Sequence, residues 1–261
     1  MDKRYGDKVV MITGAASGFG ALAARKFADE GARLGLSDVN GDGLAEVAGG
    51  LRAEGVEVVS DVVDVSDEAQ VAAHVGRIAE TFGTVHVALN NAGIGHDVAP
   101  LQFLTTGDFD RMMNVNVKGV FLGMKYQIPL MQQHGQGAIL NVASAAGLVG
   151  AGHLSLYAAA KHAVVGITRA AADENATRGI RVNAICPSFS ATPMVEDMAD
   201  QVGGRAGLSR AQAFAHIASR VPMARVSAPE EVVQAMLWIC APENSFMTGQ
   251  AIAIDGGLTA V

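Results

Sequence analysis

Tyr157 and Lys161 are spaced so that a phenol and an ammonium group share one face of a helix. They lie four residues apart in an alanine-rich run, and residues at this spacing are neighbours on a helix surface. Tyrosine has an unperturbed pKa of about 10, and an adjacent cation favours its phenolate form. The pair therefore indicates a group that exchanges a proton near neutral pH, although a packed aromatic beside a solvated charge has the same spacing.

Ser144 places a hydroxyl at the end of the strand-like run from Ala138 to Ala143, at the edge of the fold where Tyr157 begins its helix. Such a hydroxyl can polarise a carbonyl oxygen while Tyr157 donates the proton and a nicotinamide delivers hydride. The alternative is that Ser144 only opens the glycine-rich loop that follows.

A glycine-rich segment between the first strand and the first helix predicts a phosphate-binding turn. Gly14, Gly18 and Gly20 follow an apolar run, and Ser17 and Phe19 lie between them. Glycines at such a turn let backbone N–H groups approach a pyrophosphate, and the helix N-terminus adds a favourable dipole. An ordinary tight turn fits the pattern equally well, since the chain contains 31 glycines. We predict all five residues as cofactor contacts.

Asp38 ends the second strand-like run, near the distance of about 20 residues expected beyond the glycine turn. A carboxylate there accepts hydrogen bonds from a ribose diol and repels a 2′-phosphate. No Arg or Lys occupies positions 15, 16, 39 or 40, where a phosphate-binding cation would be expected. The sequence therefore predicts NAD(H) rather than NADP(H), and Asp38 can also cap the next turn.

The ends of the third and fourth predicted strands supply further residues that could contact a cofactor. Asp64 can border the adenine, although Asp is equally natural as a cap for the helix that follows. The run from Asn90 to Gly93 closes the fourth strand, at the carboxyl edge where such folds bind ligands. The predicted contacts from these segments are Asp64, Val65, Asn90, Ala92 and Gly93.

Short β-branched runs alternate with longer alanine-rich stretches, which is typical of βαβ units around a parallel sheet. No linker or internal repeat interrupts residues 1–261, so we predict one domain, in which the segment from Thr192 to Val221 forms a helical flap. The predicted strands are Val9 to Thr13, Ala32 to Ser37, Val56 to Val63, Val85 to Asn90, Ala138 to Ala143, Ile180 to Ile185 and Ala251 to Asp255. The predicted helices start near Gly18, Asp42, Asp67, Asp108, Ser155 and Pro229.

Composition and charge argue against several classes of protein. The formal net charge of −7 disfavours a nucleic-acid partner, because phosphate neutralisation needs clustered Lys and Arg. No signal-peptide h-region or membrane-length apolar run is present, and Cys186 and Cys240 form neither a metal-ligand pattern nor a disulfide framework. We expect a cytoplasmic protein with a small-molecule substrate, no bound metal and no membrane partner.

Together these motifs resemble the short-chain dehydrogenase/reductase family, of the classical type, over essentially the whole chain. The resemblance implies a single-domain, Rossmann-type, doubly wound parallel sheet of about seven strands flanked by helices. The motifs that carry it are Gly14, Gly18 and Gly20, Asn90 to Gly93, Asn116 to Gly119, Ser144, Tyr157 with Lys161, Thr248 to Gln250 and Asp255 to Gly257.

The family resemblance also implies roles for individual residues. Tyr157 is expected as the acid/base, Lys161 as the group that lowers its pKa and binds the nicotinamide ribose, and Ser144 as the residue that orients substrate. Asn116 is expected to hold a water that links Lys161 to a proton path. A homotetramer is implied as well, with the small-residue face of the Tyr157 helix at a subunit interface.

One departure from the family pattern follows the sixth strand, where Ser188 replaces the usual Gly after Pro187. The added Cβ lies where backbone usually passes close to the nicotinamide, which leaves the shape of the local turn open. Cofactor binding is expected to persist, because Ser tolerates many turn conformations. Pro187, Ser190 and Thr192 still match positions expected near the nicotinamide carboxamide.

The predicted substrate pocket is mostly apolar or small, and the sequence places no Arg in its wall to clamp a carboxylate or phosphate. We therefore expect an uncharged alicyclic or aryl secondary alcohol, or its ketone. The wall combines Gly95-His96, Ala145 to Gly150, His153 and Phe189 with the flap. The predicted substrate contacts are Ser144, His153, Tyr157 and Phe189, and His153 is equally well explained as a loop histidine without a role.

Two other functions stay open. A reductase of thioester-linked 3-ketoacyl groups in lipid synthesis normally uses NADPH and needs a basic docking patch for an acidic carrier, and Asp38 argues against NADPH. The second alternative is a non-catalytic protein that binds NAD(H). Such a protein would not need Asn116, Ser144, Tyr157 and Lys161 together.

Overall fold

Seven parallel strands form one sheet in the structure, a computed structural model that describes residues 3–261. The strands are β1 (Val9–Thr13), β2 (Arg33–Asp38), β3 (Val58–Val62), β4 (Val87–Asn90), β5 (Gly137–Val142), β6 (Ile180–Pro187) and β7 (Ala251–Ile254). Their order in the sheet is β3-β2-β1-β4-β5-β6-β7, and each neighbouring pair runs parallel. The predicted strands are confirmed, with ends that differ by two residues or fewer.

Helices connect these strands and cover both faces of the sheet. They are α1 (Gly18–Asp29), α2 (Gly41–Ala53), α3 (Glu68–Phe82), α4 (Thr106–Met113), α5 (Gly119–His134), α6 (Ser155–Asn175), α7 (Pro193–Ala206), α8 (Arg210–Ala218) and α9 (Pro229–Cys240). The helix predicted near Asp108 is two helices, α4 and α5, joined by a π-helical turn at Asn114–Lys118. Among residues 3–261, no helix has both the length and the apolar character that a membrane span requires.

Successive residues of the central strands pack on opposite faces of the sheet. In β1, Val10 and Ile12 belong to the cluster formed with α1, α2 and α9, whereas Val9 and Met11 pack with α3, α5 and α6. This period of two buries an apolar side chain on both faces, which is why these strands are apolar throughout. The doubly wound, Rossmann-type architecture implied by the family resemblance is confirmed.

The winding direction of the chain reverses at β1, which pairs with β2 on one side and β4 on the other. In open α/β sheets, ligands bind at such a point, in the crevice outside the carboxyl ends of the strands. Gly14, Asp38, Gly93, Ser144 and Pro187 all lie at or just after these carboxyl ends. The fold therefore brings the predicted cofactor and catalytic residues to one edge of the sheet.

Candidate active site

The turn between β1 and α1 brings two backbone segments into contact. Gly14 and Gly18 adopt left-handed conformations, with φ of +68° and +52°, and a Cβ on Gly14 would lie 2.8 Å from the Cα of Ala92. Glycine is therefore required at position 14. Ser17 is the N-cap of α1, but its side chain caps no N–H group, so the helix N-terminus can accept an anion.

Gly20 is predicted as a cofactor contact, and the structure corrects this. Gly20 is buried and lies outside the lining of the neighbouring cleft. A Cβ at this position would lie 2.0 Å from the carbonyl oxygen of Gly14. Gly20 therefore acts on the cleft indirectly, by letting α1 pack against the turn.

We expect Gly20→Ala to lower the free energy of unfolding, because the added methyl group must displace the Gly14 carbonyl. Overpacking of this kind costs about 1–3 kcal/mol. Gly76→Ala is the matched control, since Gly76 lies within α3 and has open space around its Cβ position. That change should instead stabilise by about 0.5–1 kcal/mol. Thermal unfolding of both variants tests this, and equal melting temperatures would contradict it.

A cleft of about 450 Å³ lies beside the glycine turn, at the carboxyl edge of the sheet. It gathers most of the residues predicted to contact the cofactor. These are Gly14, Ser17, Gly18, Phe19, Asp38, Asp64, Val65, Ala92, Gly93, Tyr157, Lys161, Pro187, Ser190 and Thr192. Gly20 and Asn90 are the predicted cofactor contacts that do not line this cleft.

Asp38 is fixed by two backbone groups at the end of β2. Its carboxylate accepts hydrogen bonds from Ala16 N and Asn40 N, both at 2.9 Å. Each carboxylate oxygen keeps further acceptor capacity. Asp64 is held in a similar way by Ser66, whose backbone N and hydroxyl donate to it at 2.8 and 2.7 Å. The cap of α3 is Asp67 rather than Asp64.

Asn90 belongs to a buried network behind the cleft, which corrects its predicted role as a cofactor contact. Its Nδ2 donates to Asn141 Oδ1 at 2.8 Å, and its Oδ1 accepts from Gln127 Nε2 at 2.9 Å. Asn141 in turn donates to the hydroxyl of Thr168 at 2.9 Å. These four buried side chains join β4 and β5 to α5 and α6, so their function is to fix the strand ends and the helix that carries Tyr157.

Ser144, Tyr157 and Lys161 meet where β5 ends and α6 begins. The Nζ atom of Lys161 donates to the carbonyl of Val142 at 2.8 Å and lies 5.5 Å from the centroid of the Tyr157 ring. The Ser144 hydroxyl accepts from Ala146 N at 3.1 Å. Lys161 is only 4% exposed, so its ammonium group acts on Tyr157 with little screening by water.

Burial is the largest influence on the pKa values of this group. It raises the pKa of Tyr157, while the hydroxyl of Ser144 lowers it. Burial also lowers the pKa of Lys161 to about 8. The sequence predicts that Lys161 lowers the Tyr157 pKa; in the structure burial raises this pKa, and the Ser144 hydroxyl is the neighbour that lowers it.

Asn116 lies fully buried in the π-helical turn between α4 and α5. Its side chain clamps the backbone of Ile94, donating to the carbonyl at 2.9 Å and accepting from the N–H at 2.8 Å. A Cβ on the adjacent Gly93 would lie 3.3 Å from Asn116 Oδ1 and 3.5 Å from Lys161 Nζ. The side chain predicted to hold a water is therefore engaged in positioning the loop after β4.

Comparisons with known proteins connect this geometry to a family. A family model described as enoyl-(acyl carrier protein) reductase matches residues 14–259. Levodione reductase of Leifsonia aquatica is 40% identical, over 98% of this chain and 96% of its own. This chain belongs to the short-chain dehydrogenase/reductase family. It is accordingly an oxidoreductase that acts on an alcohol or a ketone.

Other similar proteins match this short-chain dehydrogenase/reductase over nearly its whole length. Cis-4-hydroxycyclohexanecarboxylate dehydrogenase of Sinomonas cyclohexanicum is 40% identical over 100% of both chains. A crystal structure of levodione reductase, 38% identical, covers 98% of this chain and 99% of its own with a TM-score of 0.94. A crystal structure of 3-ketoacyl-(acyl-carrier-protein) reductase from Brucella melitensis complexed with NADH, 34% identical, covers 97% and 99% with a TM-score of 0.86.

A second cavity of about 990 Å³ adjoins the cleft of this short-chain dehydrogenase/reductase, and Ser144 and Tyr157 line both. Phe189 lines it, as predicted for a substrate contact. The structure does not bring His153 into either lining, which corrects that prediction. His153 is exposed with φ of +66°, and its carbonyl accepts from Ala99 N at 3.0 Å. Its backbone thus joins two loops of the wall, and the exposed residue lines neither cavity.

The second cavity also has charged side chains that the sequence analysis does not place there. Three arginines and three aspartates line it, namely Arg111, Arg205, Arg220, Asp97, Asp108 and Asp197. The expectation of a wall without Arg is therefore wrong, because α4 and the flap helices reach this cavity. A usable signal exists in α7, where Asp197, Gln201 and Arg205 recur every four residues and so share one helix face.

Proposed function

We propose that this chain is an NAD(H)-dependent oxidoreductase that interconverts an uncharged alicyclic or aryl secondary alcohol and its ketone. The observation that supports this best is the position of Ser144 and Tyr157, which line both the dinucleotide-sized cleft and the larger second cavity. A carbonyl carbon placed between these cavities has a proton donor on one side and room for a nicotinamide on the other.

The residues of the cleft fit a dinucleotide. Gly14 and Gly18 leave space beside the uncapped N-terminus of α1, where Ser17, Gly18 and Phe19 would hold a pyrophosphate. Asp38 would bind the adenosine ribose and repel a 2′-phosphate, which favours NAD(H) over NADP(H).

The other cleft residues would contact either the adenosine half or the nicotinamide half of NAD(H). Asp64, Val65, Ala92 and Gly93 would border its adenosine half. Pro187, Ser190 and Thr192 would contact the carboxamide, and Tyr157 with Lys161 the nicotinamide ribose. When bound, the nicotinamide supplies or accepts the hydride.

In the direction of ketone reduction, Tyr157 donates its phenolic proton to the carbonyl oxygen. Ser144 donates a hydrogen bond to the same oxygen and polarises the carbonyl. Lys161 stabilises the phenolate that results, and Asn116 keeps the Ile94 loop in place beside the reacting atoms. Alcohol oxidation uses the same groups in reverse, with the phenolate of Tyr157 as the base.

The second cavity supports a substrate that is largely apolar and carries no net charge. Phe103, Leu154 and Phe189 supply apolar wall, and the three arginines are balanced by three aspartates. The ring is supported by the relative named cis-4-hydroxycyclohexanecarboxylate dehydrogenase, whose named compound carries a carboxylate, so the absence of charge rests on the cavity alone. We propose that residues 1–261 are one catalytic domain, with residues 192–221 as the substrate flap.

We propose a homotetramer in the cytoplasm. In α6, Ala159, Gly166 and Ala170 are exposed, and small side chains of this kind let a second helix approach closely. Both cysteines are buried as free thiols, which suits a reducing compartment. Light scattering after gel filtration measures the subunit number.

A screen of NAD⁺ and NADP⁺ reduction tests the proposed function. The panel contains cyclohexanols, aryl carbinols and 3-hydroxyacyl thioesters, and we expect turnover of ring alcohols with NAD⁺. Turnover confined to thioesters with NADP⁺ would favour the lipid-synthesis reductase. No reduction of either cofactor with any alcohol, together with intact NADH binding, would favour a non-catalytic protein.

Asp38→Ala tests the cofactor choice. We expect wild-type protein to bind NADH more tightly than NADPH in fluorescence titrations. Asp38→Ala should weaken NADH binding by about tenfold or more, because hydrogen bonds to a charged acceptor contribute about 1.5–3 kcal/mol. Asp42→Ala, in the first turn of α2, is the matched control and should bind like wild type. Tighter binding of NADPH by the wild type would contradict the proposal.

A further inference from the structure

Three walls of the second cavity meet at Val98 and Ala99. The N–H of Val98 donates to Gln201 Oε1 at 3.1 Å, and its carbonyl accepts from the guanidinium of Arg205. The N–H of Ala99 donates to the carbonyl of His153 at 3.0 Å. The loop after β4 is thereby tied to the flap on one side and to the loop after β5 on the other.

Gln201 and Arg205 are one helical turn apart in α7 and both line the second cavity. Gln201 accepts a hydrogen bond from the Val98 N–H, and Arg205 donates one to the Val98 carbonyl. Both backbone groups of Val98 are thus hydrogen-bonded to side chains of the flap. Such contacts differ from a strand pairing, because they can open without unfolding either backbone.

The two helices of the flap are built to move together. Arg210 in α8 pairs with Glu196 and Asp200 in α7 at 3.0 and 3.5 Å. Ala199, Ala213 and Ile217 form a small core between the helices, and Phe189 and Val226 on either side of the flap pack against it. The two helices can therefore turn together about these flanking segments, and their side-chain hydrogen bonds to Val98 attach them to the loop after β4.

We infer that Gln201 and Arg205 form a latch on Val98 that holds the flap closed over the substrate. This inference rests on the proposed function, since it assigns the second cavity to the substrate. Both are positioning residues, which act through the flap and not on the reacting atoms. Closure of such a segment excludes water and sets the rates of substrate capture and product release.

Four variants separate the latch from a general loss of structure. Gln201→Leu keeps the size of the side chain but removes the acceptor, whereas Gln201→Glu keeps an acceptor for the Val98 N–H. Arg205→Leu removes the donor to the Val98 carbonyl. Arg210→Gln is the matched control, because it breaks a contact within the flap and leaves the attachment to Val98 intact.

We expect Gln201→Leu and Arg205→Leu to raise KM for the ring substrate by about five- to tenfold, as the loss of one hydrogen bond implies. The dissociation constant of NADH should stay within about twofold of wild type. Hydrogen exchange in peptides that span residue 98 and α7 should become faster. Gln201→Glu should restore the KM and the slow exchange, and Arg210→Gln should resemble wild type.

Unchanged exchange in Gln201→Leu and Arg205→Leu would overturn the latch, as would an equal effect of Arg210→Gln. A parallel loss of NADH affinity would also overturn it, since that result indicates general loosening. Exchange and NADH binding can be measured without turnover. A protein inactive on every ring alcohol but with faster exchange in the latch variants would therefore count against the proposed function and for the latch.

Discussion

Replacing Tyr157 by Phe is expected to slow turnover greatly in both directions and to leave the binding of NADH intact. The variant keeps the aromatic ring that packs with Met112, Leu156 and Ala160 and loses only the hydroxyl. General acid–base groups contribute on the order of 10²–10⁴-fold to the rate, so we expect kcat to fall by that factor. Steady-state rates of NADH formation and fluorescence titration of NADH measure the two effects separately.

Tyr126→Phe is the matched control for this experiment. The Tyr126 hydroxyl donates to Glu68 Oε1 at 2.8 Å on the surface of α5, and Tyr126 lines neither cavity. This variant should turn over at the wild-type rate. Near-normal kcat in Tyr157→Phe would remove the mechanism, and a joint loss of kcat and NADH affinity would show that the hydroxyl supports the cofactor more than the proton transfer.

The positions of the strands along the chain and the catalytic pair could be predicted from the sequence, because both depend on short-range patterns. Apolar runs between helical stretches mark buried parallel strands, and the spacing of Tyr157 and Lys161 fixes their shared helix face. The carboxyl ends of parallel strands share one edge of the sheet. The cluster of Gly14, Asp38 and Ser144 follows from that rule alone.

The outcome at Asn90 comes from side-chain direction, which residue type does not reveal, whereas Gly20 is buried by the packing of α1 against the Gly14 carbonyl. In β4, Val87 and Leu89 face one core cluster and Ala88 the other. The period of two therefore turns Asn90 towards the face of Ala88 and α5, where Gln127 meets it. Counting along the strand from its apolar neighbours gives this direction from the sequence alone.

The composition of the substrate wall was less accessible, because it is assembled from segments far apart in the chain. Arg111 comes from α4 and Arg205 from α7, and neither adjoins a catalytic motif in the sequence. His153 shows the converse, since it lies four residues before Tyr157 and yet contributes its backbone and not its ring. A position close to Tyr157 in the sequence indicates that the loop borders the site, but it does not show which groups of the loop face the cavity.

Lys161→Met is expected to lower kcat by about 10²-fold or more while the protein stays folded. Burial lowers the pKa of Lys161 to about 8, so below that pH the charged side chain opposes folding. Methionine of similar length removes this cost, although it leaves the Val142 carbonyl without its donor. The melting temperature at pH 7 should therefore be equal to or above that of wild type, which separates lost catalysis from lost structure.

The pH dependence of the same variant tests what Lys161 does for Tyr157. Alcohol oxidation needs the phenolate, and burial raises the pKa of Tyr157, so the wild-type oxidation rate should increase as the pH rises. The ammonium form of Lys161, 5.5 Å from the ring centroid, favours the phenolate, and the phenolate in turn favours the ammonium form, so the two groups titrate together. In Lys161→Met the increase should then move to higher pH, whereas in Lys125→Met, which loses only a surface ion pair with Glu68, it should not move. An unshifted profile in Lys161→Met would leave burial and the Ser144 hydroxyl in control of the Tyr157 pKa.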